Sequence, residues 1–207
     1  MIRRVNINMN KQDFLNRFIL HNTTSLSFQN RLPRPHHKMP LKKAAILMPL
    51  IQRENGLHMI LTQRALHLKH HAGQISFPGG KHELTDKSLA HTALRETEEE
   101  IGIEQKAIQL IGSLPSLTTV TGYHITPFIG FVEAEQKIII DHGEVKECFE
   151  VPFSFLLNPQ NFSKQHLVAN KKRHFTYCCA YQHHLIWGAT AQMLVNLQQH
   201  LNDVGSR

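Results

Sequence analysis

The run Arg95-Glu96-Thr97-Glu98-Glu99-Glu100 gathers the most chemically loaded side chains of the sequence in one place. On a helical wheel advancing about 100° per residue, Ala90, Ala93, Leu94, Thr97 and Ile101 fall in one apolar stripe, which must meet a core. With Glu96 at zero, Glu100 lies at about 40° and Glu99 at about 300°, so carboxylates at i, i+3 and i+4 share one patch. Their mutual repulsion costs stability, as does their place near a helix C-terminus, where the dipole disfavours negative charge. A hard divalent cation relieves both penalties. All-oxygen ligation by Glu96, Glu99 and Glu100 suits Mg2+ or Mn2+ and is poorly suited to zinc or copper. The competing reading of a Glu-rich helix end is a solvated acidic face with Arg95 paired to Glu99. Upstream, Gly79-Gly80 tilts the choice toward a site, because a glycine turn lets backbone carbonyls, that of Gly80 above all, approach the same ion.

The element carrying this patch spans Asp86 to Ile101 by its period and stops at Gly102, the expected C-cap. Before it, Ala44–Ile51 and Leu57–Thr62 are two apolar runs joined by Glu54-Asn55-Gly56, which predicts an antiparallel hairpin. Ile108–Leu114, Ile125–Val132, Glu147–Val151, Phe175–Tyr181 and Leu185–Trp187 read as further strands. A closing helix over Gly188–Leu201 sets Ala191, Leu194, Val195 and Leu201 on an apolar face, with its glutamines toward water. Asn10–Leu20 has helical spacing of Phe14, Phe18 and Ile19, and Asn22–His37 is a polar, basic connector. The expected organisation is therefore residues 1–42 as an N-terminal helix and connector, and 43–207 as one mixed α/β domain with helices on both sides of a sheet.

At 207 residues with 41% apolar and 19% charged side chains, the chain has the makeup of one ordinary globular domain with short extensions. The longest apolar run, Ala44–Ile51, is too short to cross a membrane and contains Pro49. Arg3 and Arg4 precede the half-polar Val5–Gln12 rather than an apolar segment, so export is not expected. Cys148, Cys178 and Cys179 give no disulfide framework, and the reading is a reducing, cytoplasmic compartment. Lys plus Arg exceeds Asp plus Glu by 23 to 16, a net charge of +7, which points to an anionic partner. The basic clusters Arg31–Lys38 and Lys171–His174 lack the interleaved aromatics of single-strand binders, so nucleic acid is not the expected partner. The 16 histidines, including the pair His183-His184, lack ligand spacing on a helix and read as surface composition.

Gly80 followed by Arg95-Glu96-Thr97-Glu98-Glu99-Glu100-Ile101-Gly102-Ile103 resembles the Nudix box, G-x5-E-x7-R-E-U-x-E-E-x-G-U with U apolar. Three departures mark it: the spacing from Gly80 to Arg95 is one residue longer, Asp86 or Lys87 stands near the place of the first Glu, and Thr97 replaces an apolar residue. The members that hydrolyse coenzyme A share the longer spacing and carry a further segment, approximately L-L-T-x-R-S-x3-R-x3-G-x3-F-P-G-G. Here Ile60-Leu61-Thr62-Gln63-Arg64-Ala65, Lys69, Gly73 and Phe77-Pro78-Gly79-Gly80 keep every fixed position in register, with Ile60, Ala65 and Lys69 departing. Ile186-Trp187-Gly188-Ala189-Thr190-Ala191 also resembles the closing strand and helix of that subfamily.

The resemblance implies an α/β/α sandwich with a mixed central sheet. It implies Glu96, Glu99 and Glu100 as ligands with Arg95 orienting them, Glu99 and Arg95 counting also as catalytic. Glu144 and Glu147 lie where the wider family draws a further ligand or a general base. Arg64, Lys69, Gly73, Phe77 and Gly79 become substrate-binding candidates, Lys69 offering a point charge where arginine would bind bidentately. The implied reaction is hydrolysis of the diphosphate of coenzyme A or acyl-CoA, a small-molecule substrate, with no membrane partner and with a homodimer allowed. The alternatives are another Nudix pyrophosphatase activity, on NADH, ADP-ribose or a dinucleotide, and a non-catalytic ligand- or RNA-binding module on the same fold.

Overall fold

The computed structural model describes residues 9–21, 40–169 and 172–202. The basic connector Asn22–His37, the cluster Arg31–Lys38 and Lys171 lie outside the described residues. Helix α1 (Lys11–His21) is followed by the hairpin β1 (Lys42–Arg53) and β2 (Gly56–Arg64), then by the short strands β3 (Ile75–Ser76) and β4 (Gly79–Lys81). Helix α2 (Leu89–Ile101) leads to β5 (Ile108–Ser113), β6 (Leu117–Thr118), β7 (Tyr123–Val132) and β8 (Val145–Pro152). Helix α3 (Phe153–Leu157), the strands β9 (Phe162–Ala169), β10 (Lys172–Tyr181) and β11 (His184–Trp187), and helix α4 (Gly188–Asn202) follow among the described residues.

Asn-Gly chemistry makes the first hairpin: Arg53 pairs with Gly56 across a two-residue loop, and Gly56 takes φ +116°. The main sheet runs β3-β2-β1-β7-β5, with β8 added on β2 and the short β4 and β6 on β1 and β7. β1 and β7 pair parallel while the other pairings are antiparallel, so the sheet is mixed. A separate sheet has the order β11-β10-β9.

Strand alternation sorts the core into two layers. Ala45, Leu47, Ile51 and Ile60 point to one face and pack with Ala93 and Ile101 of α2. Met48, Leu50, Met59 and Leu61 point to the other, where Phe14 and Phe18 of α1, Leu156 of α3 and Leu194 of α4 cover them. Both faces of the sheet are thus closed by helices, giving an α/β/α sandwich.

Two sequence expectations are corrected here. Gln199 of α4 is exposed as expected, but the other two glutamines of the helix do not face water: Gln192 and Gln198 are buried, because α1 and α3 close over that helix. They are satisfied internally, Gln192 donating to the Asn196 side chain and Gln198 to the Leu156 carbonyl. The second concerns the start of α2, which falls at Leu89 rather than Asp86. Ser88 sits in extended backbone and its hydroxyl accepts from the His91 N–H at 3.1 Å, so the serine, not the aspartate, opens the helix.

Candidate active site

Freed from the helix, Asp86 becomes its anchor. Its side chain is fully covered and accepts from the Glu83 N–H at 2.9 Å, the Thr92 hydroxyl at 2.9 Å, and the Nε and Nη2 of Arg95 at 2.9 and 3.1 Å. The Arg95 guanidinium holds the Asp86 carboxyl well below the usual carboxylate range, against the opposing effect of burial. The same guanidinium donates from Nη2 to Glu96 Oε1 at 2.9 Å and from Nη1 to Glu99 Oε2 at 2.7 Å. A planar fork with five donors can fix three carboxylates at once, a task a lysine could not perform.

Glu100 lies deeper, with 4% of its side chain exposed. The Gly79 N–H donates to its Oε2 at 3.3 Å, and Arg64 Nη1 stands 3.7 Å from its Oε1. Arg64 reaches it because even-numbered residues of β2, such as Ile60, point to the α2 face. Burial pushes the Glu100 carboxyl up to about 8; Arg64 opposes the shift, while the charges of Glu96 and Glu144 add to it. Glu96 is likewise raised, first by burial, with Arg95 opposing and Glu99 and Glu144 adding. Opposite these acids, β4 lies on β1 with Ala45 facing Gly80, and a Cβ on Gly80 would overlap the Glu96 carboxylate.

The fold therefore brings together Glu96, Glu100, Gly79, Gly80 and Arg64, with Glu144 near enough to act on both acids. Glu99 sits at the rim, 58% exposed and turned to Arg95. Two carboxyls raised by burial and by neighbouring acids, an all-oxygen donor set and a side-chain-free Gly80 fit a hard divalent cation held by Glu96 and Glu100.

Other candidates fall elsewhere. Gly73 closes the β2–β3 loop at φ +70°, its N–H donating to the Arg64 carbonyl at 3.1 Å and its own carbonyl accepting from Gln63 Nε2 at 3.2 Å. Lys69 is exposed on that loop. Phe77 is 2% exposed in the core layer under α4 rather than among the acids. Glu147 shares the parity of Phe149 on β8, and Phe149 packs into that same layer, whereas Cys148 packs on the α2 side. Glu147 thus faces away from α2, toward His183 and His184. Sequence reasoning passed over Asp86 as the partner of Arg95; the available signal was an acid two residues ahead of a serine cap. It also had no means of pairing Arg64 with Glu100, since that contact depends on strand parity.

Residues 41–171 match the family model described as NUDIX domain. Over 191 residues the chain is 35% identical to "Uncharacterized Nudix hydrolase NudL" of Pectobacterium atrosepticum, covering 92% of this chain and 94% of that protein. The protein of the same name from Salmonella dublin is 37% identical over 172 residues, 82% of this chain and 88% of its own length. Among solved structures, a MutT/nudix family protein from Enterococcus faecalis superposes with TM-score 0.47 at 17% identity, covering 92% of this chain and 73% of that one. The family model and the two relatives define a class, hydrolases acting on phosphorus anhydrides. The chain belongs to the Nudix family.

Proposed function

We propose that the chain hydrolyses the diphosphate bond of coenzyme A or its thioesters, releasing 3′,5′-ADP and 4′-phosphopantetheine or its acyl form. The observation carrying this reading is the union of two motifs at one place. The coenzyme A-like segment ends at Gly79-Gly80 against Glu96 and Glu100, and its Arg64 faces Glu100. Its loop folds back on Arg64, with the Arg64 N–H donating to the Gln74 carbonyl at 3.0 Å and the Gly73 N–H returning to the Arg64 carbonyl at 3.1 Å.

Bound at Glu96 and Glu100, Mg2+ or Mn2+ would screen the diphosphate charge and stabilise the leaving phosphate. Arg95, anchored on Asp86, holds the Glu96 carboxylate in place and ties Glu99 at the rim. Glu144, exposed and within electrostatic reach of Glu96 and Glu100, takes the proton of the attacking water. Arg64 and Lys69 supply positive charge for the substrate phosphates.

The test incubates the purified chain with Mg2+ and, separately, coenzyme A, NADH, ADP-ribose and a dinucleoside polyphosphate. Chromatography of the coenzyme A reaction should show 3′,5′-ADP and 4′-phosphopantetheine, which locates cleavage at the diphosphate rather than at the 3′-phosphate monoester. A wide preference for NADH or a dinucleotide would overturn the substrate and leave the family unaffected.

A further inference from the structure

Glu147 of β8 and the turn from β10 to β11 form a second cluster, away from α2. Glu147 Oε1 is 3.6 Å from His184 Nε2, and its Oε2 is 3.9 Å from His183 Nε2. The two imidazole rings are 4.0 Å apart between centroids, and one ligating atom from each of the three residues lies within 4.8 Å of the others. Consecutive residues of a strand ordinarily point to opposite faces. Here Gln182, at φ +52°, adopts the left-handed conformation that a residue with a Cβ seldom takes, and the turn delivers both rings to one carboxylate.

The surroundings suit metal ligation. His184 is 4% exposed and stacked on Phe149, with ring centroids 3.7 Å apart and planes 11° from parallel, so its ring is held in place. Burial lowers its pKa below the ordinary histidine value; the charges of His183 and Lys146 act the same way and Glu147 opposes them. His183 is largely exposed and Glu147 partly so, which leaves a fourth position open to water.

We propose that Glu147, His183 and His184 bind one late first-row divalent cation of the zinc class, tying β8 to the β10–β11 turn. Two imidazoles and one carboxylate make a mixed nitrogen and oxygen donor set that imidazole-preferring metals favour over Mg2+. This site differs in chemistry from the all-oxygen patch on α2; His183 is at the surface as expected, whereas His184 is buried and departs from the reading of the pair as surface composition. The tie joins the two sheets, since β8 belongs to the main one and β10 and β11 to the other.

Equilibrium dialysis of the full chain against Zn2+ in excess Mg2+ tests this, with Co2+ as the spectroscopic probe. The expected result is one retained equivalent of Zn2+, a rise in Tm on adding it, and visible Co2+ absorption of a low-coordinate site. His183→Ala removes a largely exposed ring that touches His184, and Glu147→Gln keeps shape while removing charge. Each should weaken Zn2+ binding by about tenfold to a hundredfold or more. Glu100→Gln should retain the equivalent. The proposal is overturned if the native chain retains no Zn2+ under these conditions, if both ligand variants bind as the native chain does, or if Glu100→Gln alone loses the metal, which would place it on α2.

Discussion

Glu100 and Asp86 show how two acids within the reach of one helix can be driven in opposite directions. Asp86 meets a complete set of donors and its pKa falls; Glu100 meets one backbone N–H and a more distant guanidinium, and its pKa rises to about 8. In the metal-free protein the native state therefore holds the Glu100 proton more tightly than the unfolded chain, where a glutamate titrates near about 4.3. Its contribution to stability is fully present below that value and is lost as pH rises through about 8. Asp86 has the reverse sign, its contribution being present above about pH 4 and lost only in stronger acid, so it adds no slope between pH 5 and 8. Glu100→Gln, measured in EDTA, should accordingly have a higher Tm than the native chain at pH 8, with the gap closing toward pH 5. In Mg2+ the same variant should lose on the order of 10² or more in turnover. A Tm gap independent of pH would show that Glu100 titrates like an exposed acid and that the crowding described here is absent.

The glycines of β4 separate what an element does for the fold from what it does for the site. A Cβ on Gly79 would come within 2.5 Å of the Ala45 carbonyl oxygen, and the residue sits at φ +151°. Both the neighbouring strand and the dihedral resist it, so Gly79→Ala should lower stability by about 1–3 kcal/mol. On Gly80 the obstruction is the carboxylate of Glu96, a side-chain end that can rotate away. Gly80→Ala should therefore fold with a near-native Tm and lose turnover at least tenfold, because displacing Glu96 breaks its alignment on Arg95. Paired thermal melts and rate measurements check both; a Gly80→Ala protein with native kinetics would remove Glu96 from the site. Elements of this kind also mark the limit of legibility. The β1–β2 hairpin, α2 with its Gly102 cap and the positions of most longer strands along the chain could be read because period, turn chemistry and apolar runs are local signals. β3, β4 and β6 are only two or three residues long and exist through their pairing, while Phe162–Ala169 is too polar for its alternation to stand out. The Arg95-Glu96 and Glu99-Glu100 pairs were visible as spacing on one helix. The Asp86–Arg95, Arg64–Glu100 and Glu147–His183–His184 groupings were not, since each joins residues from different elements.

At the scale of the whole molecule, the net charge of +7 acts on a substrate before any contact forms. No helix among the described residues is long and apolar enough to cross a membrane. Coenzyme A differs from dephospho-coenzyme A by a 3′-phosphate that adds about 1.5 to 2 negative charges at pH 7, so the two compounds compare the field and the local contact directly. If Lys69 or Arg64 meets that phosphate, one charge-assisted contact worth about 1.5 to 3 kcal/mol is at stake, and dephospho-coenzyme A should have a kcat/KM lower by about tenfold or more. Long-range attraction is screened once the Debye length shrinks to about 10 Å near 0.1 M salt, whereas a contact formed in a closed site is screened much less. Raising salt should therefore depress kcat/KM for both compounds, more steeply for coenzyme A, without abolishing the preference. Lys69→Ala should reduce that preference while leaving turnover of dephospho-coenzyme A nearly native, because Lys69 lies on the β2–β3 loop outside the group of acids and glycines that α2 and β4 assemble. Steady-state rates for the two compounds over a salt series decide the matter. Equal efficiencies at every salt concentration would mean that the 3′-phosphate is not read, and the coenzyme A assignment would fall while the carboxylate patch on α2 stood.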